Sequence, residues 1–239
     1  MNIVEPAVQL LAHTAIVPDA IEQRLEIQEG STDAETLTVY AGRSCYESWS
    51  RPNEKTREDK DYLRRTLFEQ AHWSIAEHAS ATFYLTGVSR ALLAEITRHR
   101  HLSFSVMSQR FVDESEANIV IPPALRDTDE VFEWGDEADK TGAEALEWMA
   151  GRVSVNYQKL VEALTDSGLP RKQAREAARA VLPNMVETRI VVTGNLRAWH
   201  EVIERRTAPD ADAEFQQVAN LIRDELHEVA PNIFPKENA

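Results

Sequence analysis

Arg98-His99-Arg100-His101-Leu102-Ser103-Phe104-Ser105-Val106-Met107-Ser108-Gln109-Arg110 is the densest polar stretch of the chain. It packs three guanidinium groups, two imidazoles and three hydroxyls into thirteen residues. The apolar positions Leu92, Leu93 and Ile96 come directly before it, so an element anchored in a core delivers it. Such an array can donate hydrogen bonds to phosphates and to a polar heterocycle. An ordinary basic helix end, where cations suit the helix dipole, has the same composition. Composition alone leaves both readings open.

The surrounding chain is acidic. It has 239 residues with 40 Asp+Glu against 26 Lys+Arg, a formal net charge of −14. That balance weighs against a nucleic-acid polymer as partner, because a phosphate backbone calls for a basic surface. The charge is also partitioned. Residues 111–150 carry a net −10, whereas 86–110 carry +3 and 171–206 carry +4. Arginine, the residue for planar bidentate contact with phosphate or carboxylate, is therefore concentrated in two places. With 6 Lys against 20 Arg, the composition also suits a high-salt cytoplasm. No apolar run reaches the roughly 18 residues of a membrane span. The start, MNIVEPAVQL, lacks the basic and apolar regions of a signal peptide. A single cysteine, Cys45, excludes a disulfide framework and is expected to be a packed thiol. The expected location is the cytoplasm.

Working outward from the polar stretch, periodicity predicts strands over residues 7–17, 79–86, 118–121 and 186–193. Helices are predicted over 32–45, 55–71, 136–165, 169–180 and 215–229. Two more are expected where Ser89 caps a helix running to about His101 and Asn195 caps one carrying Leu196, Trp199, Val202 and Ile203. The mixed order indicates an α+β fold, with helices packed on an antiparallel-type sheet in a single domain over 1–239. No GxGxxG or GxxxxGK[ST] run is present, and no histidine–carboxylate spacing argues for a metal.

The order of the residues goes further than their composition. R-H-R-x-x-S-x-x-x-x-S-x-R, filled by Arg98, His99, Arg100, Ser103, Ser108 and Arg110, resembles the signature of the flavin-dependent thymidylate synthases. Upstream, His72-Trp73-Ser74-Ile75-Ala76-Glu77-His78 is similar to that family's H-x-S/T-x-x-E-H element. Downstream, Ala178-Arg179-Ala180-Val181-Leu182-Pro183 and Thr193-Gly194-Asn195-Leu196-Arg197 look like its A-R-x-x-L-P and T-x-N-x-R elements. Arg206 falls where the family has a further arginine.

The resemblance implies conversion of dUMP to dTMP, with methylenetetrahydrofolate as carbon donor and FADH2, regenerated by NADPH, as hydride source. It also implies a homotetramer with shared active sites. FAD would be contacted by His72, Ser74, Arg98, His99, Arg100, Val106, Asn195, Arg197 and Glu201. The dUMP set would be Glu95, Ile96, Thr97, Arg98, Met107, Ser108, Gln109, Arg110, Arg179 and Arg206, with Arg206 polarising the uracil ring. A guanidinium stays protonated, so it can stabilise a developing uracil anion without acting as a base. Four positions depart from the family pattern. Glu95 stands for glutamine, Val106 for glutamine or glutamate, Glu201 for histidine or asparagine, and Asp210 for histidine. Two other readings compete. One is a relative that binds FAD and a nucleotide without the folate reaction; the other is an interaction protein using its acidic 111–150 segment.

Overall fold

A computed structural model of the chain describes residues 2–134 and 137–236, apart from the Glu137 side chain. Its centre is a four-stranded antiparallel sheet made of β1 (Ala7–His13), β2 (Ser80–Ser89), β3 (Leu102–Val106) and β6 (Glu187–Asn195), in the order β1-β2-β6-β3. A separate hairpin pairs β4 (Val131–Trp134) with β5 (Glu137–Thr141). Around these lie α1 (Pro18–Glu22), α2 (Asp33–Ser44), α3 (Asp59–Leu63), α4 (Arg90–Ile96), α5 (Pro123–Arg126), α6 (Gly142–Asp166), α7 (Arg171–Ala178), α8 (Leu196–Arg206) and α9 (Ala213–Val229).

The sheet turns one face into the core. Strand β2 alternates, with Ala81, Phe83 and Leu85 buried and their neighbours half-buried, as a period of two requires. Against this face pack Trp199 and Val202 of α8 and Phe215, Val218 and Ile222 of α9, all within one continuous core. Trp199 is fully buried, lies edge-on to Phe83 with ring centres 5.1 Å apart, and donates its Nε1 proton to the Ala81 carbonyl at 3.1 Å. A large apolar body with a satisfied polar tip is the favourable way to bury an indole. A smaller cluster of Ile119, Ile121, Ala150 and Met185 sits under α6.

Helix starts follow local chemistry. Thr32 and Glu35 form a reciprocal capping box on α2, and Thr141 and Glu144 form another on α6. The side chains of Ser89 and Asn195 accept from the backbone N–H of Leu92 and Ala198, capping α4 and α8 as expected from sequence. Gly87, at φ +64°, sits in the irregular stretch of the β2–β6 ladder, and a Cβ there would meet the Glu5 carbonyl.

Several expectations need correcting. Helix α4 stops at Ile96, five residues before His101, and residues 102–106 form β3. The reason is visible in Leu102-Ser103-Phe104-Ser105-Val106: apolar and hydroxyl side chains alternate, and the Leu102 side chain is buried while Ser103 and Ser105 are exposed. Residues 54–69 form a short 3-10 turn, α3 and a π-helix rather than one helix. The wider π turn shifts the phase, so Leu63 and Leu67 are buried while Phe68 is 45% exposed. The helix expected from Asp136, which lies outside the described residues, begins at Gly142 instead, preceded by the hairpin. The strand at 118–121 reduces to isolated bridges from Ile119 to Ile3 and Val186. Cys45 is exposed at the end of α2, not packed.

Candidate active site

The connections of the sheet converge on the N-terminus of α8. Strand β6 ends at Asn195, which caps α8, so the positive end of the helix lies beside the end of the sheet, with the Leu196 and Ala198 N–H groups already donating to the Ala79 carbonyl and the Asn195 side chain. Strand β3 pairs Leu102 with Gly194, which sets His101 and the Arg98–Arg100 turn next to that helix start. Gly194 permits the approach, since a Cβ there would strike Leu102. From the other side, the π-helix and Ala71, at φ +56°, turn the chain so that His72-Trp73-Ser74 face α8. A non-glycine residue in that region is strained and is often found next to a functional surface.

These segments line a shallow trough made of three confluent cavities, about 220, 260 and 410 Å³ in volume. Glu201 borders all three, and Arg197, His101 and Ala198 each border two. Of the nine residues expected at a flavin, His72, Ser74, Arg98, His99, Arg100, Asn195, Arg197 and Glu201 are brought together here. Val106 is not; it pairs with Ile190 at the far end of β3. The donor set suits a pyrophosphate, with arginines and a capped helix N-terminus around one groove. Two carboxylates temper it: Arg197 pairs with Glu77 at 2.6 Å and with Glu201 at 3.3 Å, and these partners raise the Arg197 pKa further.

Beside the trough, Arg206 closes a compact constellation. Its Nε donates to His99 Nε2 at 3.0 Å, Nη1 to the Glu95 carboxylate at 3.0 Å, and Nη2 to the Glu95 carbonyl at 3.4 Å. Burial and the adjacent cations Arg206 and Arg205 push the His99 pKa down to about 4. His99 is therefore neutral near pH 7. Because its Nε2 accepts from Arg206, its proton sits on Nδ1. Burial alone would raise the Glu95 carboxyl, but the hydrogen bond from Arg206 and the charges of Arg98 and Arg206 hold it below the usual range.

The remaining residues expected at dUMP stand elsewhere. Met107, Ser108, Gln109 and Arg110 follow the far end of β3. Five residues of strand separate them from the Arg98–His101 turn, a span of about 17 Å at ~3.3 Å per residue. Arg90 donates to the Met107 carbonyl at 3.0 Å, Arg110 pairs with Glu176 at 2.6 Å, and Arg175 holds the Phe111 carbonyl and Asp113 at 2.6 Å each. Arg179 is exposed where α7 ends. Within one chain the expected dUMP residues thus form two groups. Ile96 belongs to the core, fully buried, so only its main chain is available, and its carbonyl already accepts from the His99 N–H. Thr97 is exposed, with its hydroxyl turned back to the Leu93 carbonyl at 2.8 Å. Asp210 lies exposed in the turn between α8 and α9.

Sequence reasoning missed three participants. Arg205 lines the trough, and its signal was present: Arg197, Glu201 and Arg205 recur every four residues along one face of α8. His200 stacks on Trp73 with ring centres 3.6 Å apart and planes at 11°, at the edge of the trough. Phe215 lies under Arg206. No sequence spacing announces the last two. Among the described residues, no group of three or more His, Cys, Asp or Glu could hold a metal ion, and no helix is long and apolar enough to cross a membrane.

An arginine-rich trough opening on a helix N-terminus defines a protein suited to ligands that carry phosphates. Comparison with known proteins narrows the class. Residues 27–232 match the family model described as thymidylate synthase complementing protein. The chain is 48% identical over 206 residues to a probable flavin-dependent thymidylate synthase of Mycobacterium phage D29, covering 86% of this chain and 84% of that protein. It is 44% identical over 242 residues to the flavin-dependent thymidylate synthase of Mycobacteroides abscessus, covering 98% of this chain and 90% of that one. The fold is shared with thymidylate synthase X of Helicobacter pylori, a crystal structure with FAD and dUMP, at a TM-score of 0.63, 20% identity, and 96% and 97% coverage of the two chains. The chain belongs to the flavin-dependent thymidylate synthase family.

Proposed function

We propose that this chain, acting as one domain over 1–239, catalyses the reductive methylation of dUMP to dTMP, with methylenetetrahydrofolate as carbon donor and NADPH as reductant of a bound FAD. Family membership supports the reaction, and the Arg206 constellation is the observation that carries the mechanism. Its cationic fork is held in the plane set by His99 and Glu95 and is only 16% exposed at the side chain. Partly shielded from water, its charge acts more strongly than an exposed one on a carbonyl oxygen or ring nitrogen that becomes anionic. Arg206 would thus favour loss of the uracil N3 proton and polarise the ring without covalent attack by a thiol. The exposed Cys45, whose thiol donates to the Ala41 carbonyl, is not needed for that role.

His72, Ser74, Arg98, His99, Arg100, Asn195, Arg197 and Glu201 would hold the FAD, with Arg98, Arg100 and the α8 N-terminus meeting its pyrophosphate. When bound, the flavin supplies the hydride. Ser108, Gln109, Arg110 and Arg179 would take the dUMP phosphate, and Glu95 and Arg206 its pyrimidine. These two groups stand at opposite ends of β3, which supports a site completed by a neighbouring copy, as in a homotetramer. Sedimentation should give four chains per particle; a catalytically active monomer would refute shared sites. The donor set around the trough predicts a yellow protein with an FAD spectrum, expected in the cytoplasm. A colourless protein that FAD cannot reconstitute would overturn the reading.

A second reading has its own observation. Glu95 places a carboxylate on Arg206 where a neutral amide would leave the guanidinium's charge unopposed. FAD binding without dTMP formation would favour a relative that has lost the folate reaction.

A further inference from the structure

We propose that Phe215 is a positioning residue for Arg206: its ring face fixes and supports the guanidinium that acts on the pyrimidine. The inference rests on the reading of Arg206 given above. The Arg206 guanidinium carbon lies 4.7 Å from the centre of the Phe215 ring, and the His99 ring meets the same phenyl edge-on at 5.9 Å. Phe215 is fully buried. One aromatic side chain thus touches both members of the Arg206–His99 hydrogen bond.

The ring is itself held firmly. It sits in the first turn of α9, where its backbone N–H donates to the capping Asp212 at 2.9 Å. The preceding residue, Glu214, accepts from the Ser89 backbone at 2.7 Å and the Ser89 hydroxyl at 2.6 Å. Ser89 in turn caps α4, the helix that carries Glu95. The first turn of α9 therefore ties the base of α4 to the underside of Arg206.

Three in-plane hydrogen bonds from Arg206, two to Glu95 and one to His99, fix the guanidinium edge-on. The Phe215 ring lies against the guanidinium, whose carbon is over the ring 4.7 Å from the ring centre. An aliphatic side chain could fill the same core volume. An aromatic ring adds its negative π face, which favours a cation lying flat on it, and most so where water is excluded.

The test separates the charge contact from packing. Phe215 is replaced in the holoenzyme by mono-, di- and trifluorophenylalanine and then pentafluorophenylalanine, which keep the shape while draining the π face. The expected result is a stepwise fall in kcat for dTMP, reaching about five- to thirtyfold in the last member, the range set by a desolvated cation–π contact. FAD content stays at the wild-type level, and melting temperature falls only by the few degrees that loss of one such contact costs. A purely structural ring would leave kcat flat across the series, and that outcome overturns the proposal. Phe215→Leu is the second variant; a kcat loss no larger than that of surface variants with the same melting temperature also counts against it. Arg206→Ala is run alongside. If it retains wild-type kcat, the reading of Arg206 fails; if it is inactive while the fluorinated enzymes match wild type, only the assignment of Phe215 fails.

Discussion

At the scale of single residues, Arg206 and His99 carry the account. Arg206→Ala is expected to lower kcat by about 10²-fold or more, as loss of a preorganised charge at a developing anion does, with FAD still bound. Steady-state dTMP formation checks this, and a loss under threefold would contradict it. His99 predicts a pH dependence whose sign follows from its folded pKa of about 4 against an ordinary value of 6.5. Between those values the unfolded chain binds more protons, so the stability due to neutral His99 is full above about pH 6.5 and is lost as pH falls through 4. His200, also lowered by burial, adds in the same direction. The buried Glu35, Glu114 and Glu214, whose pKa values burial raises, act the other way, so the check is the difference: the change in melting temperature between pH 7 and pH 5 should be less unfavourable in His99→Gln than in the wild type, and equal changes would count against the assignment. Cys45→Ala is expected to keep kcat within about twofold, as an exposed site with no role in the chemistry should. Abolished turnover would point instead to a thiol mechanism.

At the scale of elements, the ladder between β2 and β6 depends on Gly87. Gly87→Ala forces a left-handed φ on a residue with a Cβ and drives that Cβ into the Glu5 carbonyl. A loss of about 2 kcal/mol or more is expected, read from the urea midpoint. An unchanged midpoint would show that the strand can relax. Much of this layer was legible in the sequence. The caps Ser89 and Asn195, the strands around residues 80–89 and 187–195, and the helix carrying Trp199 all follow from local signals. Strand β3 was hidden by its chemistry, because its arginine- and serine-rich surroundings drew attention from the plain alternation of Leu102, Phe104 and Val106. The π turn at 64–69 and the turn at Ala71 leave no periodic trace, since each is a local strain paid for by tertiary packing. The candidate site was legible as a set of residues, yet its division into two groups was not. That division depends on β3 being extended, which sets five residues of edge strand between the two ends of the thirteen-residue stretch.

At the scale of the whole molecule, the net charge of −14 and the local arginines belong to different parts of one design. The acidic 111–150 block includes the β4–β5 hairpin and the start of α6, whereas the basic segments lend Arg98, Arg100, Arg197 and Arg205 to the trough and Arg206 to the constellation beside it. Ligands with phosphates meet cations even though the molecule as a whole repels them. The lysine-poor, acid-rich composition further predicts that kcat survives molar KCl; loss of activity there would remove the high-salt reading. The most direct measurement of the central claim is dTMP formation by the purified, FAD-loaded protein given dUMP, methylenetetrahydrofolate and NADPH. The account predicts dTMP that depends on each of the three and is abolished by Arg206→Ala. A yellow protein that oxidises NADPH but yields no dTMP under these conditions would contradict it.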